Sequence, residues 1–109
     1  MTAFTDYLAD HAEQLDLGTF AITRAHGTHH PEVFEIRKRY ETIRDRIALA
    51  NGAQPQVGDE LARIRSLTNG YTIPDDACPT LAATYRMLEE AHRIYESANE
   101  GRVVNKPVR

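Results

Sequence analysis

The sequence predicts an all-α protein, a small up-and-down bundle of four to five helices. Three observations carry this. Apolar residues recur at spacings of three and four in several segments, the pattern that lines one face of a helix. No segment sustains the two-residue alternation of a half-buried strand. The periodic segments are separated by short stretches bearing Gly, Pro and Asn, and short connections make consecutive helices antiparallel neighbours. A chain of 109 residues has room for one modest core, and its 41% hydrophobic and 27% charged content is that of a globular domain.

Taken in order, Phe4, Tyr7, Leu8 and Leu15 outline an N-terminal helix with Thr2 or Thr5 as its cap. Gly18 is expected to bend or break the chain before a short helix carrying Phe20, Ala21 and Ala25 that ends near Gly27. The clearest element is PEVFEIRKRYETIRDRIALANG, where Val33, Ile36, Tyr40, Ile43 and Ile47 form a continuous apolar stripe. Pro31 suits its first turn, where the missing N–H has no intrahelical partner. Asn51 and Gly52 tolerate the left-handed conformation that stops it. Val57, Leu61, Ile64 and Leu67 mark a fourth helix closed by Asn69-Gly70. Leu81, Tyr85, Leu88, Ala91 and Tyr95 mark a last one closed by Gly101. Residues 1–101 are thus expected to form a single domain and residues 102–109 a flexible C-terminal tail. Val33, Ile36, Tyr40, Ile43, Ile47, Leu61, Ile64, Leu81, Tyr85 and Leu88 should face a common core.

Charge and cysteine usage narrow the function classes. The formal charge is −3, and the densest basic run, Arg37-Lys38-Arg39, is flanked by Glu32, Glu35 and Glu41, as on a solvated helix face. A nucleic-acid partner usually needs a basic domain, so none is expected. One cysteine cannot form an internal disulfide. The first residues lack the basic and apolar regions of a signal peptide. No apolar run approaches the ~20 residues of a membrane span. The expectation is a cytoplasmic protein with no membrane partner.

That cysteine lies in LTNGYTIPDDACPTLAATY, Leu67 to Tyr85. Asn69-Gly70 ends one helix, and Asp75 or Asp76 can cap the next. With Asp76 as cap, Ala77, Cys78 and Pro79 become the first three helical positions. The helix dipole there favours a thiolate, while the adjacent aspartates oppose it. Nothing local supplies a base. Three readings of Cys78 stay open: a mostly buried structural thiol, a redox-responsive thiol, and a nucleophile.

The segment LARIRSLTNGYTIPDDACPTLAATYRMLEE resembles the hemerythrin-like iron–sulfur cluster repair (repair of iron centres) family. There a Thr-Asn turn and a proline-bearing loop lead to Ala-Cys-x-Thr and a tyrosine seven residues beyond the cysteine, as Tyr85 follows Cys78. YLADHAEQL is similar to that family's first bundle helix, with Tyr7, His11, Glu13, Gln14 and Leu15 in register. The resemblance implies a hemerythrin-like bundle and a di-iron centre on histidines and carboxylates. Position by position, its ligands fall here on Leu8, on His26 or His29, on Ala53 and Val57, on Gln54, and on Ala98 and Arg102. At most one ligand survives. The implied protein is a truncated relative that has lost its di-iron site, and no cofactor is expected.

The one dense histidine cluster is HGTHHPE. His26, His29 and His30, with Glu32 nearby, offer ligands for a single metal ion. They are equally natural in a polar turn where His30 caps the next helix. His11 and His92 stand alone and read as surface or boundary residues. Two functions follow: a stress-response protein of the iron–sulfur repair type that acts by binding a protein partner, and a helical interaction or adaptor module, for which a homodimer is one option, with exposed Tyr71 and Tyr95 as contact anchors. A cysteine enzyme is a third reading.

Overall fold

The computed structural model describes residues 1–105, with side chains through Ala98. Five helices follow one another: α1 (Ala3–Asp10), α2 (Ala12–His26), α3 (Glu32–Ala50), α4 (Gly58–Leu67) and α5 (Pro79–Asn105). No strand occurs among the described residues. The all-helical bundle expected from periodicity is what forms.

Thr2 opens α1 with a reciprocal capping box. Its hydroxyl accepts from the Thr5 N–H at 3.1 Å, and the Thr5 hydroxyl accepts from the Thr2 N–H at 2.9 Å. The break in the N-terminal segment falls at His11, not at Gly18. His11 Nδ1 lies 2.9 Å from the Tyr7 carbonyl, and the His11 ring stacks on Tyr7. α2 runs unbroken through Gly18, because that glycine serves packing. A Cβ there would sit 2.2 Å from Thr84 Oγ1 on α5. The two backbones therefore approach more closely than any side chain at position 18 allows.

α3 ends where the sequence suggested, with Asn51 and Gly52 both at positive φ. α4 ends in three successive left-handed residues, Asn69, Gly70 and Tyr71. The helix α5 continues through Gly101 to Asn105, past the expected stop, and residues 106–109 of the expected tail lie outside the described residues.

Every expected core residue packs inward, with Ile47 partly covered and the other nine buried. Phe4, Leu8, Leu15, Ile22, Val57, Tyr71, Ala91 and Tyr95 join them. α2 lies against both α3 and α5, and α4 packs on α3 and α5. The burial of Tyr71 and Tyr95 corrects their assignment as exposed anchors. The Tyr95 hydroxyl donates to the Pro55 carbonyl and accepts from the Val57 N–H, both at 3.2 Å, tying the α3–α4 loop to α5. The large apolar side chains that do face outward include Leu17 and Phe20 on α2 and Phe34 on α3.

The basic run is held by acids. Arg37 reaches Asp16 on α2 and Glu41 on its own helix. Glu35 takes Arg39 on one side and Arg63 of α4 on the other, at 2.8–2.9 Å, and those guanidiniums hold its carboxyl down at about 2, with Arg63 the larger cause. Glu35 thereby joins α3 to α4.

Candidate functional site: a loop fastened by three histidines

The connection from α4 to α5, Asn69 to Cys78, crosses one end of the bundle. Three of its side chains each grip a histidine from a different part of the chain: Cys78 meets His26, Asp76 meets His30, and Tyr71 meets His92.

Cys78 immediately precedes α5. Its carbonyl accepts the Ala82 N–H at 3.1 Å, and Pro79 takes the first helical position, where a missing N–H is harmless. Asp76 is therefore not the cap, and the helix begins later than the aspartates suggested. Cys78 is half-buried, more open than the mostly buried thiol expected for a structural role, although it packs against the core. His26, the last residue of α2, places Nε2 3.1 Å from Cys78 Sγ. The base missing from the local sequence is thus supplied from across the fold. In the neutral pair the thiol donates to Nε2. An imidazole at this distance can take the Sγ proton when sulfur attacks an electrophile.

His30 sits between two carboxylates. Nε2 is 2.9 Å from Asp76 Oδ1, and Nδ1 is 3.3 Å from Glu32 Oε2. The hydrogen bond to Asp76 is the main reason its pKa rises above the ordinary histidine value, and the same bond lowers that of Asp76. His30 does not cap α3, whose N-cap is Pro31. His29 is exposed. The proposed ligand trio is therefore split: His26 faces Cys78, His30 faces Asp76 and Glu32, and His29 faces solvent. Among the described residues, no three His, Cys, Asp or Glu side chains converge as ligands for one metal ion.

His92 is buried at 3% exposure, not a surface residue, and Tyr71 Oη lies 2.7 Å from its Nδ1. Burial raises the Tyr71 pKa, so the phenol stays protonated and donates to Nδ1. Nε2 then carries the imidazole proton and donates to Glu96 Oε2 at 3.2 Å. Glu96 is in turn held by Arg65 of α4 at 3.0 Å. Burial, with Arg65 second, pushes the His92 pKa down and keeps the ring neutral. Tyr71 is held at φ +63°, a conformation that costs a non-glycine residue ~1–2 kcal/mol, and the hydrogen bond to His92 helps to retain it there.

No family model, curated protein or solved structure matches this chain. The resemblance to iron–sulfur repair proteins rests on the quoted stretches alone. Of the positions where that family's ligands fall, Leu8 and Val57 are core residues here, Gln54 is partly buried and Ala53 exposed. The side chain of Arg102 lies outside those described.

The sequence drew attention to Cys78 and the 26–30 cluster but missed their pairing, which spans 52 residues for His26 with Cys78 and 46 for His30 with Asp76. It missed the Tyr71–His92–Glu96 chain entirely. Only the i,i+4 spacing of His92 and Glu96 was a local signal.

Proposed function

We propose that the protein is a helical interaction module of the stress-response type, acting through a protein partner and without a di-iron centre, whose binding surface responds to the oxidation state of Cys78. One observation carries the reading: a half-buried thiol stands 3.1 Å from an imidazole nitrogen, at the point where the α4–α5 loop enters α5. Attack of sulfur on a hydroperoxide breaks the O–O bond. Sulfur is oxidised to a sulfenic acid, the peroxide is reduced to water or an alcohol, and His26 relays the thiol proton to the leaving oxygen. The chain holds no second cysteine, so a disulfide formed from that sulfenic acid requires a thiol from another molecule, with loss of water. Either product enlarges the group at Sγ and displaces it from His26, loosening the junction of α2, the loop and α5.

Trapping with a sulfenic-acid reagent and intact-mass analysis, during exposure to hydrogen peroxide, tests this. His26→Asn should slow the modification by about a hundredfold, the low end of what a positioned proton-transfer group contributes. Equal rates for wild type and His26→Asn would remove the basis of the proposal.

A second reading, an adaptor with no thiol chemistry, is favoured by Leu17 and Phe20 on α2 and Phe34 on the adjoining α3. They are 50–62% exposed and replace the tyrosines as contact anchors. It predicts partner binding indifferent to peroxide.

A further inference from the structure

Helix α2 carries a second periodic set of residues besides its core face. Leu15, Gly18, Thr19 and Ile22 are buried in the bundle. Glu13, Leu17, Phe20 and Arg24, spaced four, three and four residues apart, are all exposed, Leu17 at 62% and Phe20 at 50%. At 3.6 residues per turn these four fall within about 60° of one another, on the side of the helix opposite Leu15 and Ile22. The stripe is apolar at its centre and charged at its two ends. Asp16 is held by Arg37 and Arg44, whereas among the described residues neither Glu13 nor Arg24 takes part in an ion pair. Glu13 with Arg24, and Leu17 with Phe20, share one midpoint, between Gly18 and Thr19. The order acid, apolar, apolar, base is therefore its own complement when the helix is reversed.

We infer that this stripe is a contact between two copies of the chain, packed antiparallel along α2 about a twofold axis through that midpoint. Such an axis sets Leu17 of one copy against Phe20 of the other, twice, and Glu13 against Arg24, twice, as an interface of one patch with itself requires. Alternating steps of three and four are the spacing at which two helices pack side by side along a seam. A parallel pairing would bring Glu13 to Glu13 and Arg24 to Arg24, and like charges disfavour it. The Arg37 guanidinium lies 5.8 Å from the centroid of the Phe20 ring and is fixed by Asp16, so the ring is positioned before any partner arrives. Four residues a side are few beside the roughly 20–30 of a stable interface, so the dimer is reversible and concentration-dependent. The inference rests on the adaptor reading in taking Leu17 and Phe20 as contact anchors, and it names a second copy as the partner. The helix macrodipole alone also favours an acid in the first turn and a base in the last. Charge inversion separates the two causes.

Sedimentation equilibrium of the pure full chain, up to about 1 mM, should show a monomer–dimer equilibrium that added salt weakens. Leu17→Glu should abolish the dimer. Glu13→Arg and Arg24→Glu should each raise Kd by about tenfold or more, since each creates two like-charge contacts. The double variant Glu13→Arg/Arg24→Glu should restore dimerisation to near the wild-type level, although both of its charges now oppose the macrodipole. All of these positions are exposed, and circular dichroism verifies that each variant is folded. A chain monomeric to about 1 mM, a dimer indifferent to Leu17→Glu, or a double variant as weak as the single ones would overturn the inference. The same measurement on peroxide-treated protein tests the adaptor reading separately, because that reading requires an unchanged Kd.

Discussion

Tyr71→Phe isolates one atom of the loop fastening. The ring stays and its apolar contacts persist, so the cavity contribution is small. What disappears is the donor 2.7 Å from His92 Nδ1, between residues that are 7% and 3% exposed. Nδ1 is then a buried acceptor with no partner, which costs about 1–3 kcal/mol. A tautomer change does not rescue it. Moving the proton to Nδ1 turns the Nε2 lone pair toward the Glu96 carboxylate 3.2 Å away. Urea unfolding followed by circular dichroism near pH 7.5 measures the loss as a lower midpoint at unchanged slope. In thermal melts each kcal/mol corresponds to roughly 4–8 °C for a domain of this size. A variant within about 0.5 kcal/mol of wild type would behave like an ordinary surface substitution and refute the donor role of the hydroxyl.

Four further outcomes follow from the same geometry. Because His92 is held below its ordinary pKa, the folded state binds fewer protons, so stability is fullest above pH 6.5 and falls as pH drops below it; His92→Phe should flatten that part of the profile. Glu35, depressed to about 2 by Arg63 and Arg39, contributes stability present above pH 4.5 and lost as pH falls toward 2, and Glu35→Gln should remove this acid limb in melts across that range. Gly18→Ala should destabilise by about 1–3 kcal/mol despite the better helix propensity of alanine, and adding Thr84→Ala should restore part of the loss in a double-mutant cycle. Ile43→Ala, at 1% exposure, should cost about 2–5 kcal/mol in the same urea assay.

Helix positions and the core were legible because they rest on local periodicity. The stripe from Val33 to Ile47 needed no partner to be seen, and the Asn-Gly pairs announced their left-handed turns. Gly18 was misread because the sequence shows a residue of low helix propensity but not the Thr84 side chain that makes it necessary. Tyr71 and Tyr95 were misplaced for a related reason. A tyrosine after a turn, or near a helix end, carries no local sign of the distant partner that takes its hydroxyl, as His92 and the Pro55 carbonyl do. Cys78 shows the limit most clearly. Its helix-start position was nearly right, yet the nitrogen that faces its sulfur comes from 52 residues away.

The histidine clasps also bear on the order in which the chain assembles. They bridge separations of 21, 46 and 52 residues, whereas most bonds within the helices span four. Contacts between distant parts of a chain repay their loop-closure entropy only once the intervening helices have docked. The packing of α1 and α2 on α5, where Gly18 meets Thr84, is more distant still in sequence, so the clasps close as part of the assembled bundle rather than ahead of it. Between Asn69 and Cys78 no helical ladder runs, so the α4–α5 loop is expected to open before the helices under native conditions, held by the clasps and by Tyr71 in the core. Its amides should exchange with solvent through local openings well below the free energy of global unfolding, while those of α2 and the buried turns of α3 wait for the whole domain. On that expectation, a reagent that modifies Cys78 acts on a local opening of the loop rather than on the unfolded chain, and the rate of labelling reads that opening.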